Sequence, residues 1–230
     1  MLKIALLLIA VSAFLYYGVP LAYTLYLRRR LTREVGRRRQ LVLTFDDGPG
    51  DRLTPRILDV LREDGSKAIF FLLGRNIPNR EDLARRIVSE GHVIGAHGFG
   101  HINYWKAGPV RTVRDIKRGW SAIDEALGRR GGVYPFRPPY GKLNLAGLLY
   151  LWTHRVPIVY WTFDIGDTWA PAKRGPRPME TLTLPTDGAV VLAHDFDRSH
   201  TEVDDVVVLA VRTLLAQARQ ARMPIVPSAR

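Results

Sequence analysis

The chain has 230 residues, 47% of them hydrophobic, enough to bury one sizeable core in one domain or at most two. It carries no cysteine, which excludes a disulfide framework and a thiolate metal site and leaves histidine and carboxylate to hold any metal. The formal net charge is +12, but the first 40 residues hold eight Lys/Arg against one Glu, so most of the excess is local, and no aromatic-basic interleaving elsewhere points to nucleic acid.

Residues 4–27, IALLLIAVSAFLYYGVPLAYTLYL, contain no charge and as a helix would extend about 36 Å, against roughly 30 Å of bilayer hydrocarbon. Tyr16, Tyr17, Tyr23 and Tyr26 suit a membrane interface, and Pro20 is a candidate kink. Residues 1–27 therefore read as a membrane anchor. A cleavable signal competes, since VSA at 11–13 resembles a cleavage site, although cutting there leaves a long apolar stump. The Arg-rich residues 28–40 read as a juxtamembrane linker, with residues 4–39 touching membrane lipid and its anionic headgroups. By the positive-inside rule this flank places the rest of the chain, residues 41–230, in the cytoplasm.

From residue 41 short apolar runs alternate with amphipathic stretches. LVLTF (41–45) reads as a buried strand. TPRILDVLRED follows as a helix, with Thr54 as its N-cap, Pro55 in the first turn and Gly65 closing it. Next come strand AIFFLLG, a helix ending at Gly91, strand VIGA, a helix from Pro109 to about Leu127, and a short strand at YPFR. A helix around LAGLLYLW leads to strand IVYWTF, and the last strands, AVVLA and PIVP, are separated by a helix from about Glu202 to Ala221. Seven nearly continuous apolar strands predict a parallel α/β sheet buried on both faces, as a small closed or nearly closed barrel, with a doubly wound sheet as the alternative. Residues 167–188 read as a long loop.

The polar residues gather at the ends of these runs. Asp46 and Asp47 follow the first strand, His97 and His101 the third, Arg137 the fourth, Asp164 and Asp167 the fifth and His194 the sixth. In a βα barrel those ends share one rim, where catalytic groups assemble. Gly98 and Gly100 argue against a helical His-x-x-x-His pair and put His97 and His101 on a loop. Two imidazoles and one carboxylate make a hydrolytic metal site with open positions. One aspartate suffices as ligand, which frees the other to act as a base, both kept ionised by the cation and an arginine. His92, His154 and His200 read as structural or exposed.

The ordered motifs TFDDGP, HGFGH, RPPYG, DIGDTW and VVLAHD resemble those of the polysaccharide deacetylase family, the NodB-homology domain of carbohydrate esterase family 4, across residues 41–230. The resemblance implies a distorted (β/α)7 barrel. It implies Asp47, His97 and His101 as ligands of one divalent metal ion, usually zinc, with cobalt or nickel as alternatives. It further implies Asp46 as general base paired with Arg137, and the Tyr140 N–H as a donor to the oxyanion. His194 becomes the general acid, tuned by Asp167 or Asp164, and Leu192 lines the acetyl pocket. Two departures stand out. Gly98 replaces the family's usual Ser or Thr, losing a hydroxyl that steadies the metal loop, and Thr168 separates Asp167 from Trp169, the expected groove wall.

The function implied is a metal-dependent hydrolase of carbon–nitrogen bonds that removes N-acetyl groups, with O-acetyl esters also open, from N-acetylglucosamine in cell-wall, chitin-like or exported glycan. Family habit places such a domain outside the cell, against the charge rule. A deacylase of a lipid-linked sugar at the inner membrane face is the second reading. A non-catalytic glycan-binding protein is the third, and every matched catalytic position argues against it.

Overall fold

The computed structural model describes residues 1–168, 182–197 and 202–228. Five parallel strands form its sheet in the order β3-β2-β1-β5-β4, namely β1 (Leu41–Asp46), β2 (Ile69–Leu72), β3 (Val93–Ala96), β4 (Phe163–Asp164) and β5 (Ala189–His194). The central strand sets the register: Asp46 lies opposite Phe71 on one side and His194 on the other. Alternation divides its side chains between two cores. Leu41, Leu43 and Phe45 pack outward with the helices, whereas Val42 joins Ile69, Phe71 and Val190 inside the curve of the sheet.

Isolated bridges close the ring. Ala96 pairs with Phe136 and Phe136 with Ile158, in the segment that runs on into β4, where Thr162 donates its N–H to Val190. The sequence expectation of a nearly closed barrel thus holds, with an irregular wall. The expected strands YPFR and PIVP shrink to single bridging residues, Phe136 and Ile225. Prolines flank both positions and cannot donate to a ladder, so pairing stops after one residue.

The outer helices are α2 (Leu53–Asp64), α3 (Glu81–Ser89), α4 (Pro109–Leu127), α5 (Leu145–Thr153) and α6 (Glu202–Gln220). Gly65 ends α2 in the left-handed region at φ 74°, as a C-terminal glycine does. Thr54, however, is not the N-cap of α2. Its hydroxyl donates to Asp195 at 2.7 Å, and the helix start is capped instead by the Asp197 carboxylate, which accepts the N–H groups of Asp51, Arg52 and Leu53 at 2.7–3.1 Å.

One further helix, α1 (Leu2–Arg38), is long and apolar enough to cross a membrane. A π-helical turn at Phe14–Gly18 interrupts it. That wide turn lies just before Pro20, whose missing N–H breaks the ordinary ladder, and the helix continues through the proline. It also continues through the segment expected as a linker, turning only at Arg39 (φ 47°) into β1. Val35 is buried against Val42, Ile69, Phe71 and Val190 at the foot of the barrel, with Leu31 packed beside it. Burying a valine in this way contributes roughly 1.5–3 kcal/mol. Higher up, the Thr24 and Tyr160 hydroxyls are 2.8 Å apart, and the Tyr16 hydroxyl donates to the Ala107 carbonyl at 3.1 Å.

Candidate active site

The carboxyl ends of the strands deliver the polar residues to one place. Asp46 ends β1 and is buried, with Arg137 Nη1 2.8 Å from its Oδ1. Arg137 is itself fully buried. It donates to Thr44 Oγ1 at 2.7 Å and to the Val159 and Tyr160 carbonyls at 3.2 and 3.1 Å, and its guanidinium stacks on Phe71. Every face of the arginine is therefore satisfied, and its position is fixed by four acceptors. Burial pushes the Asp46 carboxyl above its ordinary value, while Arg137 and His194 pull it back. A carboxylate balanced in this way is a better proton acceptor near neutrality than an exposed one.

Asp47 turns away from its neighbour because its backbone lies at φ 71°. Its Oδ1 is 3.6 Å from His97 Nε2 and 3.4 Å from His101 Nε2, and it is buried without a hydrogen-bond partner among the described residues. The ligand atoms of Asp47, His97 and His101 all lie within 4.8 Å of one another. Two ligands of a tetrahedral zinc sit about 3.3 Å apart, so the three atoms fit a single divalent ion. The histidines are prepared for that role. His97 Nδ1 lies 2.7 Å from the Arg137 carbonyl, which only accepts, so the proton resides on Nδ1 and the Nε2 lone pair faces Asp47. Burial lowers the His97 pKa to about 3 and also lowers that of His101, favouring the neutral imidazoles a metal requires.

His101 (φ 53°) and Tyr140 (φ 59°) share the left-handed backbone of Asp47. Such non-glycine residues are strained, and here three of them meet at one site. The Tyr140 ring packs on His101 with centroids 4.5 Å apart, its side chain is largely exposed, and its N–H has no acceptor among the described residues. Leu192 shares the inward face of β5 with Val190 and His194, opposite Thr44.

His194 stands across the site from the histidine pair. Asp167 meets it, with Oδ1 2.8 Å from Nδ1 and Oδ2 accepting its backbone N–H at 2.9 Å. Asp164 instead accepts the Gly166 N–H at 2.7 Å. Burial opposes charge on His194, but Asp167, helped by Asp46 and Asp47, raises its pKa to about 9. Trp169 lies outside the described residues, as does His200. Neither His92 nor His154 joins the site: the first accepts the Ala68 N–H at 3.2 Å, and the second packs on Tyr150 with ring centroids 4.2 Å apart.

Sequence reasoning missed two aspartates that support the site. Asp115, in α4, accepts the Phe99 and Gly100 N–H groups at 3.2 and 2.9 Å and the Tyr104 hydroxyl at 2.8 Å. This carboxylate steadies the loop that carries His97 and His101, the duty expected of a hydroxyl at position 98. Gly98 has φ 77°, and a Cβ there would collide with the Asp115 carboxylate and the Tyr104 hydroxyl. Asp195 is the second. It is fully buried below Gly48, its pKa is raised by burial to about 7, and only its proximity to the VVLAHD histidine could have singled it out.

A parallel barrel with an Asp-His-His cluster and an Asp-His pair on its carboxyl rim defines an α/β barrel protein with a candidate metal site. Residues 33–150 match the family model described as polysaccharide deacetylase, and the chain belongs to that family. A peptidoglycan-N-acetylglucosamine deacetylase of Bacillus cereus is 34% identical over 165 residues, covering 71% of this chain and 58% of the relative. A chitooligosaccharide deacetylase of a Bradyrhizobium species is 32% identical over 175 residues, covering 74% and 77%. The chain spans only 33% of the length of the Listeria monocytogenes peptidoglycan deacetylase it also matches. Among solved structures, the Bc1960 peptidoglycan N-acetylglucosamine deacetylase superposes with a TM-score of 0.67 at 28% identity, covering 83% of this chain and 86% of that one. A Streptococcus mutans CE4 esterase reaches 0.72 at 23% identity, covering 86% and 89%, and supports the fold alone.

Proposed function

We propose that this protein is a metal-dependent N-deacetylase that hydrolyses the acetamido group of N-acetylglucosamine in a glycan, giving acetate and a free amine. The observation that carries the reading is the orphaned Asp47 carboxylate facing two neutral imidazoles, beside a second carboxylate that is paired with a buried arginine. Asp47, His97 and His101 hold the ion, zinc or another divalent metal such as cobalt or nickel. When bound, the ion supplies Lewis-acid polarisation of the carbonyl and of the attacking water.

The chain's own residues do the rest. Asp46 accepts the proton of the attacking water, held in place by Arg137. The Tyr140 N–H donates to the oxyanion of the tetrahedral intermediate. His194 protonates the departing nitrogen, because an amide anion leaves poorly, and Asp167 keeps it protonated at neutral pH. Leu192 lines the space for the acetyl methyl, and Trp169 is assigned to the groove wall. An ester substrate would need the acid less, so the raised His194 favours amide chemistry.

Acetate release by the full chain, with zinc and with chelator, across chitooligosaccharides, peptidoglycan and acetylxylan tests the reading. Chelator-sensitive release from an N-acetylglucosamine glycan is expected. Release from acetylxylan alone would replace the amidase with an esterase, and no release from any glycan by the zinc-loaded protein would overturn the proposal.

A further inference from the structure

The N-terminal helix reaches the barrel in an informative direction. Val35 lies at the foot of the barrel, where the strands begin, with Ile69 and Val190 around it. Toward its N-terminus the helix climbs past Tyr160, bonded through Thr24, to Tyr16 and Tyr17. Tyr16 is locked between the loops that carry the active site: its hydroxyl donates to Ala107, beyond His97 and His101, and accepts from Asn144, beyond Arg137 and Tyr140, at 2.9 Å. Asn144 is fully buried and also binds the Tyr104 carbonyl and the Thr112 hydroxyl, so this anchor point belongs to the core. The Tyr17 ring meets Trp105 edge-on at 6.3 Å.

Beyond Tyr16 the helix leaves the domain on the catalytic side. No residue of Leu2–Ala13 is buried, and Leu6, Leu7, Leu8 and Ile9 are 57–66% exposed. A helix that is apolar all round does not lie flat at an interface but enters hydrocarbon. With Tyr16 docked, the free uncharged run from Ile4 is about 18 Å long, too short to cross the roughly 30 Å hydrocarbon core, so α1 enters the bilayer only partway and only with the rim drawn up to its surface. No loop intervenes, because α1 is helical through to β1. The rim beside its exit is itself suited to a membrane surface: Trp105 and exposed Val110 sit near Lys106, Arg111 and Lys142, the last with its ammonium 5.0 Å from the Trp105 ring centroid. The arginines of residues 28–39, by contrast, ride on the part of α1 docked toward the foot.

We infer that α1 inserts into a lipid bilayer and holds the catalytic rim against its surface, so that the site serves N-acetylated sugars carried on a membrane lipid. The substrate clause rests on the deacetylase reading above; the orientation does not.

The absence of native cysteine allows a direct test with the full chain. Lys106→Cys places a single label on the rim, and Arg130→Cys places one beyond the far end of α4. Each variant carries an environment-sensitive fluorophore and is bound to phosphatidylethanolamine–phosphatidylglycerol vesicles containing a headgroup-level quencher. The rim label should shift to the blue and lose most of its emission, and the distal label should stay as in water. Quenching at the distal site, two unquenched labels on vesicle-bound protein, or a dimer that ignores vesicles would each overturn the orientation. In the same vesicles, acetate should be released faster from an N-acetylglucosaminyl polyisoprenyl lipid than from a soluble chitooligosaccharide, and Ile9→Arg should abolish that preference while sparing the soluble reaction. Equal rates would overturn the substrate clause alone, and no release from either substrate would remove the deacetylase reading while leaving the label result to stand.

Discussion

Asp167 holds His194 at two points, accepting its backbone N–H at 2.9 Å through Oδ2 and lying 2.8 Å from Nδ1 through Oδ1. The backbone bond fixes the carboxylate, so the second contact is a directed one and sets both the tautomer and the charge of the ring. With Nδ1 committed to the carboxylate, Nε2 is the nitrogen available for the proposed proton transfer.

That contact makes a pH prediction. An acid works only while protonated, so activity should persist below the His194 pKa and fall as pH rises through about 9. Asp167→Asn removes the anion but not the burial, and burial alone favours the neutral ring. The alkaline limb of the kcat profile should therefore move to lower pH, and an unmoved limb would remove Asp167 from this role.

Asp46→Asn keeps the shape of the proposed base and abolishes its basicity. Turnover should fall by roughly 10²–10⁴-fold, the usual range for a general base, while elemental analysis still finds one divalent ion per chain. In the wild type the acidic limb should lie above the ordinary carboxylate range, because burial raises Asp46, and activity should be lost as pH falls through it. Full turnover by the variant would refute the assignment.

Asp115 touches no ligand atom of Asp47, His97 or His101, yet it binds two backbone N–H groups between the two histidines. Asp115→Ala should weaken metal binding by about 10–100-fold, as loss of a supporting shell does, with the three ligands intact. Competition against a chromogenic chelator measures this, and an unchanged affinity would show that the loop holds its shape without the carboxylate.

Asp197 caps α2 from a distant loop, accepting three N–H groups. Asp197→Ala should cost about 1 kcal/mol, the usual loss for a helix cap, and lower Tm by roughly 2–4 °C for a chain of this size. A melt indistinguishable from wild type would mean that solvent satisfies those groups equally well.

Much of this was legible in the sequence, and the exceptions share a cause. Strands β1, β2, β3 and β5 were readable because burial makes continuous apolar runs, and the polar rim because it follows those runs directly, whereas the YPFR, IVYWTF and PIVP runs leave only bridges and the two residues of β4. The docking of α1 was not legible. Its docked stripe of Pro20, Thr24 and Val35, with Leu27 and Leu31 half-buried between them, has helical spacing but starts inside an apolar run and ends among arginines, so neither half shows it as an amphipathic face. Asp115 and Asp197 act on backbone groups 15 and more residues away in sequence, and no local pattern marks a carboxylate as a distant cap. Thr54 misled for the complementary reason: it fits the local rule for a cap, but Asp195 claims its hydroxyl.

The central claim is a hydrolytic site built on Asp47, His97 and His101. Its most direct test is to strip the full chain of metal and titrate zinc back while following acetate release from an N-acetylglucosamine glycan. Activity should vanish on stripping and return to a plateau at one equivalent of zinc per chain. Acetate release undiminished by metal removal would contradict it.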